Sequence, residues 1–250
     1  MAEPATENDL ALPHVLRPNR SDFALDRKEM LRYLGHTGQE IDQELADRIE
    51  RAAQRVVELA APAATWRVFG IEHVLDAQGR PAIGLAGSTV RLAGSGIWRH
   101  LKDADACALM AVTIGAGVER EIRRVGALNG LDGALLDAAG SAYAESLAEH
   151  VDGIIRARAA QVGLTGNWRF SCGYGDCPLD AQPDILASLN AGRTCGLTVT
   201  STNLLLPSKS VTATIGLFSG EVRAATDKPS CSMCRQKGAC AFRARGTTCF

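Results

Sequence analysis

Between residues 131 and 162 the chain carries a helical run whose first half is crowded with Gly133, Ala134, Ala138, Ala139, Gly140, Ala142 and Ala144. Side chains this small let a helix backbone come close to its neighbours on several sides. The run therefore predicts a central buried helix on which the remaining elements pack.

Those elements are of mixed kind. Asp26 and Glu29 have capping-box spacing and open a first helix that Gly35 stops. Thr37 and Glu40 repeat the spacing before a longer helix, with apolar positions at Ile41, Leu45, Ile49, Ala52, Val56 and Leu59 and an end at Pro62. Extended segments are expected over 65–72 and 82–92, joined by a hairpin turn at Gln78-Gly79-Arg80-Pro81. A short helix over 96–102, a strand over 107–114 and a helix over 117–128 precede the central run. After it come a short helix over 180–189 and strands over 198–202 and 211–217, with Val211, Ala213, Ile215 and Leu217 sharing one face. Helices interleaved with hairpin-like strands indicate an α+β fold, and no Gly-x-Gly-x-x-Gly follows a strand as a dinucleotide fold would require.

At 250 residues and 46% hydrophobic content the chain can bury one sizeable core. The simplest division is a flexible N-terminal segment or surface arm over 1–22, a domain over 23–225 and a cysteine-rich tail over 226–250. A formal charge of −1, from 27 basic and 28 acidic residues without long blocks, supplies no electrostatic footprint for nucleic acid, so a protein or a small molecule is the expected partner. The opening Met-Ala-Glu-Pro-Ala-Thr-Glu lacks a basic-then-apolar leader, and no apolar run is long enough for a membrane span, which points to a cytoplasmic protein. In that compartment eight cysteines suggest thiols, metal ligands or redox chemistry before structural disulfides.

The segment Arg169-Phe-Ser-Cys-Gly-Tyr-Gly-Asp-Cys-Pro-Leu179 sets a fixed cation beside a turn suited to close ligand approach. Gly173 and Gly175 can take positive φ on either side of Tyr174, Ser171 adds backbone and hydroxyl, and Arg169 offers a planar fork to a carboxylate. Two readings of these residues stay open: a ligand loop, or a tight turn with Arg169 in a surface ion pair. Asp176 can cap the following turn. Cys172 and Cys177 flank the turn and can reach each other or a metal, whereas Cys107 and Cys195 sit in apolar strand contexts.

Downstream stand Gly196-Leu-Thr-Val-Thr-Ser-Thr and Leu206-Pro-Ser-Lys-Ser-Val-Thr-Ala-Thr-Ile-Gly-Leu217. Together with the Arg169 loop they resemble the activation (reactivation) domain of vitamin B12-dependent methionine synthase, whose S-adenosylmethionine loop has the form Arg-x-x-x-Gly-Tyr. Ile97-Trp-Arg-His-Leu, Ala111-Val-Thr-Ile-Gly and Leu136-Asp-Ala-Ala-Gly-Ser-Ala-Tyr-Ala-Glu145 look like the stand-alone members of that family, so the similarity runs over about residues 25–220. The resemblance implies a single α+β domain with a twisted, mainly antiparallel sheet. It implies S-adenosylmethionine binding by Arg169, Ser171, Gly173 and Tyr174, with Glu145 as the nearest match for a carboxylate holding the ligand's ammonium. It also implies a role in the reductive methylation of cob(II)alamin on a cobalamin-dependent methionine synthase, the cobalamin being held by that partner and the electron coming from a flavodoxin or ferredoxin. In that role no nucleophile comes from this domain. An activator of another corrinoid methyltransferase is the alternative within the same fold. Cys172 departs from the pattern, since many relatives have Pro there.

The tail has no counterpart in the long enzyme. Cys231, Cys234, Cys240 and Cys249 can enclose an iron–sulfur cluster or zinc, or remain as thiols, and on this feature alone the chain could be a metal-binding adaptor or electron carrier. His14, His36, His73, His100 and His150 are scattered, and no hydrolase triad or His-Glu-x-x-His appears.

Overall fold

The small-residue run folds as one helix, Gly130–Gln161, whose first turn is capped by the Asn129 side chain accepting from Leu131 N and Asp132 N. The computed structural model describes residues 6–220, 238 and 241–244. Its elements are α1 (Glu7–Leu10), β1 (His14–Leu16), α2 (Arg27–Tyr33), α3 (Gln43–Leu59), β2 (Ala63–Leu75), β3 (Pro81–Leu85), β4 (Arg91–Ala93) and α4 (Ser95–Leu101). They continue with β5 (Ala106–Thr113), α5 (Ala116–Gly126), α6 (Gly130–Gln161), β6 (Leu164–Gly166), a 3₁₀ turn (Leu179–Ala181), α7 (Gln182–Ser188), α8 (Ala191–Cys195), β7 (Thr198–Val199), β8 (Leu205–Leu206) and β9 (Ser210–Ser219).

The fold is α+β, as expected. A seven-stranded sheet runs β4-β3-β2-β5-β9-β6, with β1 against the first part of β2, and every pairing is antiparallel. Strand alternation gives the sheet two buried faces. Ala64, Trp66, Val68, Ala108, Met110, Val112, Ala213, Ile215 and Leu217 pack with residues of α2, α3, α5 and α6. Phe69, Cys107, Leu109 and Ala111 pack on the other side with residues of α4, α7 and α8. That second face also buries hydroxyls: Thr65 Oγ1 donates to Leu189 O at 3.4 Å, Thr212 Oγ1 to Gln182 Oε1 at 2.8 Å and Thr214 Oγ1 to Phe170 O at 3.1 Å.

Helix α6 is held between α2, α3 and α5 on one side and the sheet on the other. A Cβ at Gly133 would stand 2.5 Å from Gly126 Cα, so α5 and α6 cross in backbone contact. At Gly140 a Cβ would meet Lys209 and Val118, each at 3.3 Å. The small residues thus set the interhelical distance, and the aliphatic side chains around them contribute about 1.5–3 kcal/mol each on full burial.

Several boundaries differ from expectation. Helix α3 begins at Gln43, not at the Thr37–Glu40 box: Thr37 N donates to Gln39 Oε1 at 2.7 Å, and Asp42 caps the helix by accepting from Leu45 N at 2.8 Å. Residues 82–92 make two strands because the chain reverses at Gly87, with φ +70°. The strand expected over 198–202 stops at Val199, where Thr200 Oγ1 accepts from Thr202 N and Leu204 N and turns the chain. The first residues were expected as a flexible segment or a surface arm. His14–Leu16 pairs with β2, and His14 stacks on Trp66 with ring centroids 3.8 Å apart. Among the described residues no helix is long and apolar enough to cross a membrane.

Two glycines of α6 should respond oppositely to the same change. Gly133→Ala forces α5 and α6 apart and should destabilise by about 1–3 kcal/mol. At Gly153 a Cβ meets nothing within 4 Å, so Gly153→Ala should stabilise by about 0.5–1 kcal/mol through helix propensity. Urea melts of the two variants check both signs.

Candidate functional site

The segment leading to Arg169 is fastened along β9 and down to α6. Asn167 N donates to Gly216 O at 3.0 Å, and Phe170 exchanges two backbone hydrogen bonds with Thr214, at 2.9 and 2.8 Å. Asn167 also accepts from Gly216 N through Oδ1 at 2.8 Å and donates to His100 O through Nδ2 at 2.8 Å. From α6, Arg156 donates Nη1 to Gly166 O at 2.7 Å and Nη2 to Asn167 O, while Asp152 holds its Nε at 2.8 Å. Burial pushes the His100 imidazole down to about 4, so it is neutral where it lines this anchor.

So fastened, Arg169 faces α6. Its Nη1 and Nη2 lie 3.4 and 3.5 Å from Glu145 Oε2, and its Nη2 is 3.2 Å from Glu149 Oε2. Glu145 and Glu149 are one helical turn apart on α6 and so share a face. The Arg169 side chain is 19% exposed and that of Glu149 74%. Charge-assisted bonds commonly fall at about 2.7–2.9 Å, so these longer contacts leave the guanidinium fork able to exchange partners.

The Gly-Tyr-Gly turn stands next to this pair. Gly173 and Gly175 have φ of +94° and +56°, as the sequence predicts for the residues on either side of Tyr174. Tyr174 N donates to the Ser171 carbonyl at 3.3 Å, Cys177 N to Tyr174 O at 3.1 Å, and Gly173 N to Cys177 O at 2.9 Å. Tyr174 is left 63% exposed. Asp176 does act as a cap, but of a helix some 80 positions upstream: its carboxylate accepts from Ser95 N at 2.6 Å and Gly96 N at 3.0 Å at the start of α4. Burial alone would raise this carboxyl, yet the hydrogen bonds from Gly96 and Ser95 hold it down at about 2. Gly94 permits the approach, because a Cβ there would lie 2.8 Å from Asp176 O.

Two participants escaped sequence reading. Glu149 could have been found as the residue one turn after Glu145. Tyr33, at the end of α2, had no local signal. Burial, followed by the Glu145 charge and then weaker effects of Glu29 and Tyr174, pushes its phenol up to about 12 against the opposing Arg32 charge. Tyr33 therefore joins Glu145 and Tyr174 in one electrostatic neighbourhood, with the Arg32 guanidinium 4.5 Å from its ring centroid.

Arg169, Glu145, Ser171, Gly173 and Tyr174 are thus placed by one helix and one loop. A cation opposed by two carboxylates can receive a zwitterion, whose carboxylate takes the guanidinium while its ammonium takes Glu145 and Glu149. Cys231, Cys234, Cys240 and Cys249 lie outside the described residues. Among the described residues no cluster of three or more His, Cys, Asp or Glu has metal-binding geometry.

The loop's brace and the site's charge can be tested separately. Asp176→Ala should cost about 0.5–2 kcal/mol near neutral pH, as for loss of an N-cap. The depressed carboxyl stabilises above its ordinary value of 3.8, and this contribution is lost as pH falls toward about 2. Thermal melts of parent and variant should therefore converge across that window. Glu145→Gln should lower the pKa of Tyr33 toward 10 without reaching it, since burial remains, and phenolate absorbance during a base titration reads this.

Comparison of the sequence with family models gives no match, and comparison with curated proteins gives none. The fold is similar to that in a crystal structure of the MetH reactivation domain bound to AdoHcy, with a TM-score of 0.64 at 14% sequence identity. The likeness covers 100% of this chain and 90% of that one, and establishes a shared fold.

Proposed function

We propose that this chain binds S-adenosylmethionine at the Arg169 site and serves in reactivation of a cobalamin-dependent methionine synthase. The observation that carries the reading is the meeting of Arg169 with Glu145 and Glu149 beside the exposed Tyr174 turn. It is supported by the fold shared with a reactivation domain whose crystal structure contains AdoHcy. Arg169 takes the ligand's carboxylate, Glu145 its ammonium with Glu149 beside it, and the Ser171–Gly175 backbone borders the rest. Tyr174 then faces the approaching partner.

In this reading the partner's corrinoid cobalt supplies the nucleophile, and a flavodoxin or ferredoxin supplies the electron. The chain's own residues do no bond-making. They hold the amino-acid end of the ligand, so that the methyl sulfonium is presented at a fixed place, and a second-order encounter becomes a positioned one. The stretches 97–101, 111–115 and 136–145 resemble the stand-alone form of the family, so we assign the chain to a protein that acts on a separate synthase.

Calorimetric titration with S-adenosylmethionine and with AdoHcy tests the reading. Binding of both is expected, and Arg169→Ala should weaken it by about 2–4 kcal/mol, the range for truncating one partner of a desolvated charge pair. Equal affinity in the folded variant would remove Arg169 from the site, and no binding by the parent at millimolar ligand would end the proposal.

A further inference from the structure

Cys172 and Cys177 meet beneath the Gly-Tyr-Gly turn with their sulfurs 3.7 Å apart and both thiols free. The chain between them is already drawn together by the hydrogen bond from Gly173 N to Cys177 O at 2.9 Å. A disulfide needs its sulfurs at about 2 Å, so closure asks for a movement of less than about 2 Å within side chains that already face each other.

The two sulfurs are chemically unlike. Cys177 is 3% exposed and its S–H points at Cys172 Sγ. That hydrogen bond, then burial, pushes the Cys177 thiol far up, while the same bond lowers the half-buried Cys172 thiol. Cys172 is thereby the sulfur suited to attack first and Cys177 the one suited to resolve.

We propose that Cys172 and Cys177 form a thiol–disulfide pair whose closure locks the Tyr174 loop. With a low-molecular-weight disulfide as oxidant, the Cys172 thiolate attacks one oxidant sulfur and expels the other half as a thiolate. Cys177 then gives up its proton, attacks Cys172 Sγ and expels the second half. The pair loses two electrons and two protons, and the oxidant becomes two thiols. The ring so formed spans residues 172–177 and includes Gly173 and Gly175, the residues with the most backbone freedom to lose. Closure holds Tyr174 outward and keeps Asp176 on the first turn of α4. The inference stands on the thiol geometry and does not depend on what binds at Arg169.

Cleavage after Arg169 and Arg193 releases residues 170–193, a peptide with these two cysteines and no others. After the full chain is equilibrated with oxidised glutathione, acid-quenched and alkylated, this peptide should be two hydrogens lighter and unalkylated, and dithiothreitol should restore both alkylation sites. Cys177→Ser should instead stop with glutathione on Cys172. Amide hydrogen exchange at residues 174–176 should slow several-fold in the oxidised parent. The proposal is overturned if both cysteines stay alkylatable in oxidant, if they link to other cysteines, or if exchange is unchanged once the ring has closed.

Discussion

The backbone contact between α5 and α6 is the constraint on which the rest depends. With Gly133 against Gly126 Cα, the end of α5 lies directly on the first turn of α6, while α2 and α3 cover the same side of α6 and the sheet covers the other. A helix enclosed in this way fixes whatever it carries. Along its length α6 presents Tyr143 to the arm, Glu145 and Glu149 to Arg169, and Asp152 with Arg156 to the backbone of 166–167. The candidate site is therefore measured out from one rigid rod, and the strand-like segment carrying Arg169 is tied to that rod before it reaches the site.

The site's electrostatics suit reversible occupancy. Glu149 is largely exposed, and its pair with Arg169 contributes at most about 1 kcal/mol, so that contact is not needed to hold the fold together. The site's charges are kept in place by neighbours that do contribute to the fold, among them Asn167, Arg156 and the bridge between Phe170 and Thr214. The turn follows the same arrangement. Tyr174 is exposed, while the Phe170–Thr214 bridge holds one end of its loop and Asp176 on α4 with Cys177 in the core holds the other.

Much of this was legible in the sequence, because the signals were local. The small-residue run, the capping of α2 by Asp26, the Gly-Tyr-Gly turn and the alternation along 211–217 depend on residues close together in the chain, and all appear in the structure. What was not legible is what tertiary contacts decide. The box at Thr37 and Glu40 was equally good in spacing, but the better-placed Asp42 captured the helix start. The arm at residues 14–16 has no strand pattern of its own and becomes a strand against Trp66 and its neighbours. Asp176 has the local signature of a cap for the following turn, and nothing local announces a helix start brought beside it from residue 95. Tyr33 was invisible for the same reason: α2 reaches Glu145 only after α6 has packed.

The buried threonines of the sheet have a consequence for how the chain finds its pairing. Thr212 and Thr214 alternate along β9 with Ala213 and Ile215, and each hydroxyl has one acceptor on the side of α7 and the Arg169 segment. A slip of one residue would turn both hydroxyls away from Gln182 Oε1 and Phe170 O and into the aliphatic layer beneath α6, and a buried hydroxyl left unpaired costs about 1–3 kcal/mol. It would also carry Ala213 and Ile215 to positions lined for hydroxyls. A β9 whose faces were both purely aliphatic would tolerate the shift; this one makes a misaligned strand expensive, and so holds Phe170 and the cation beside it to a single position.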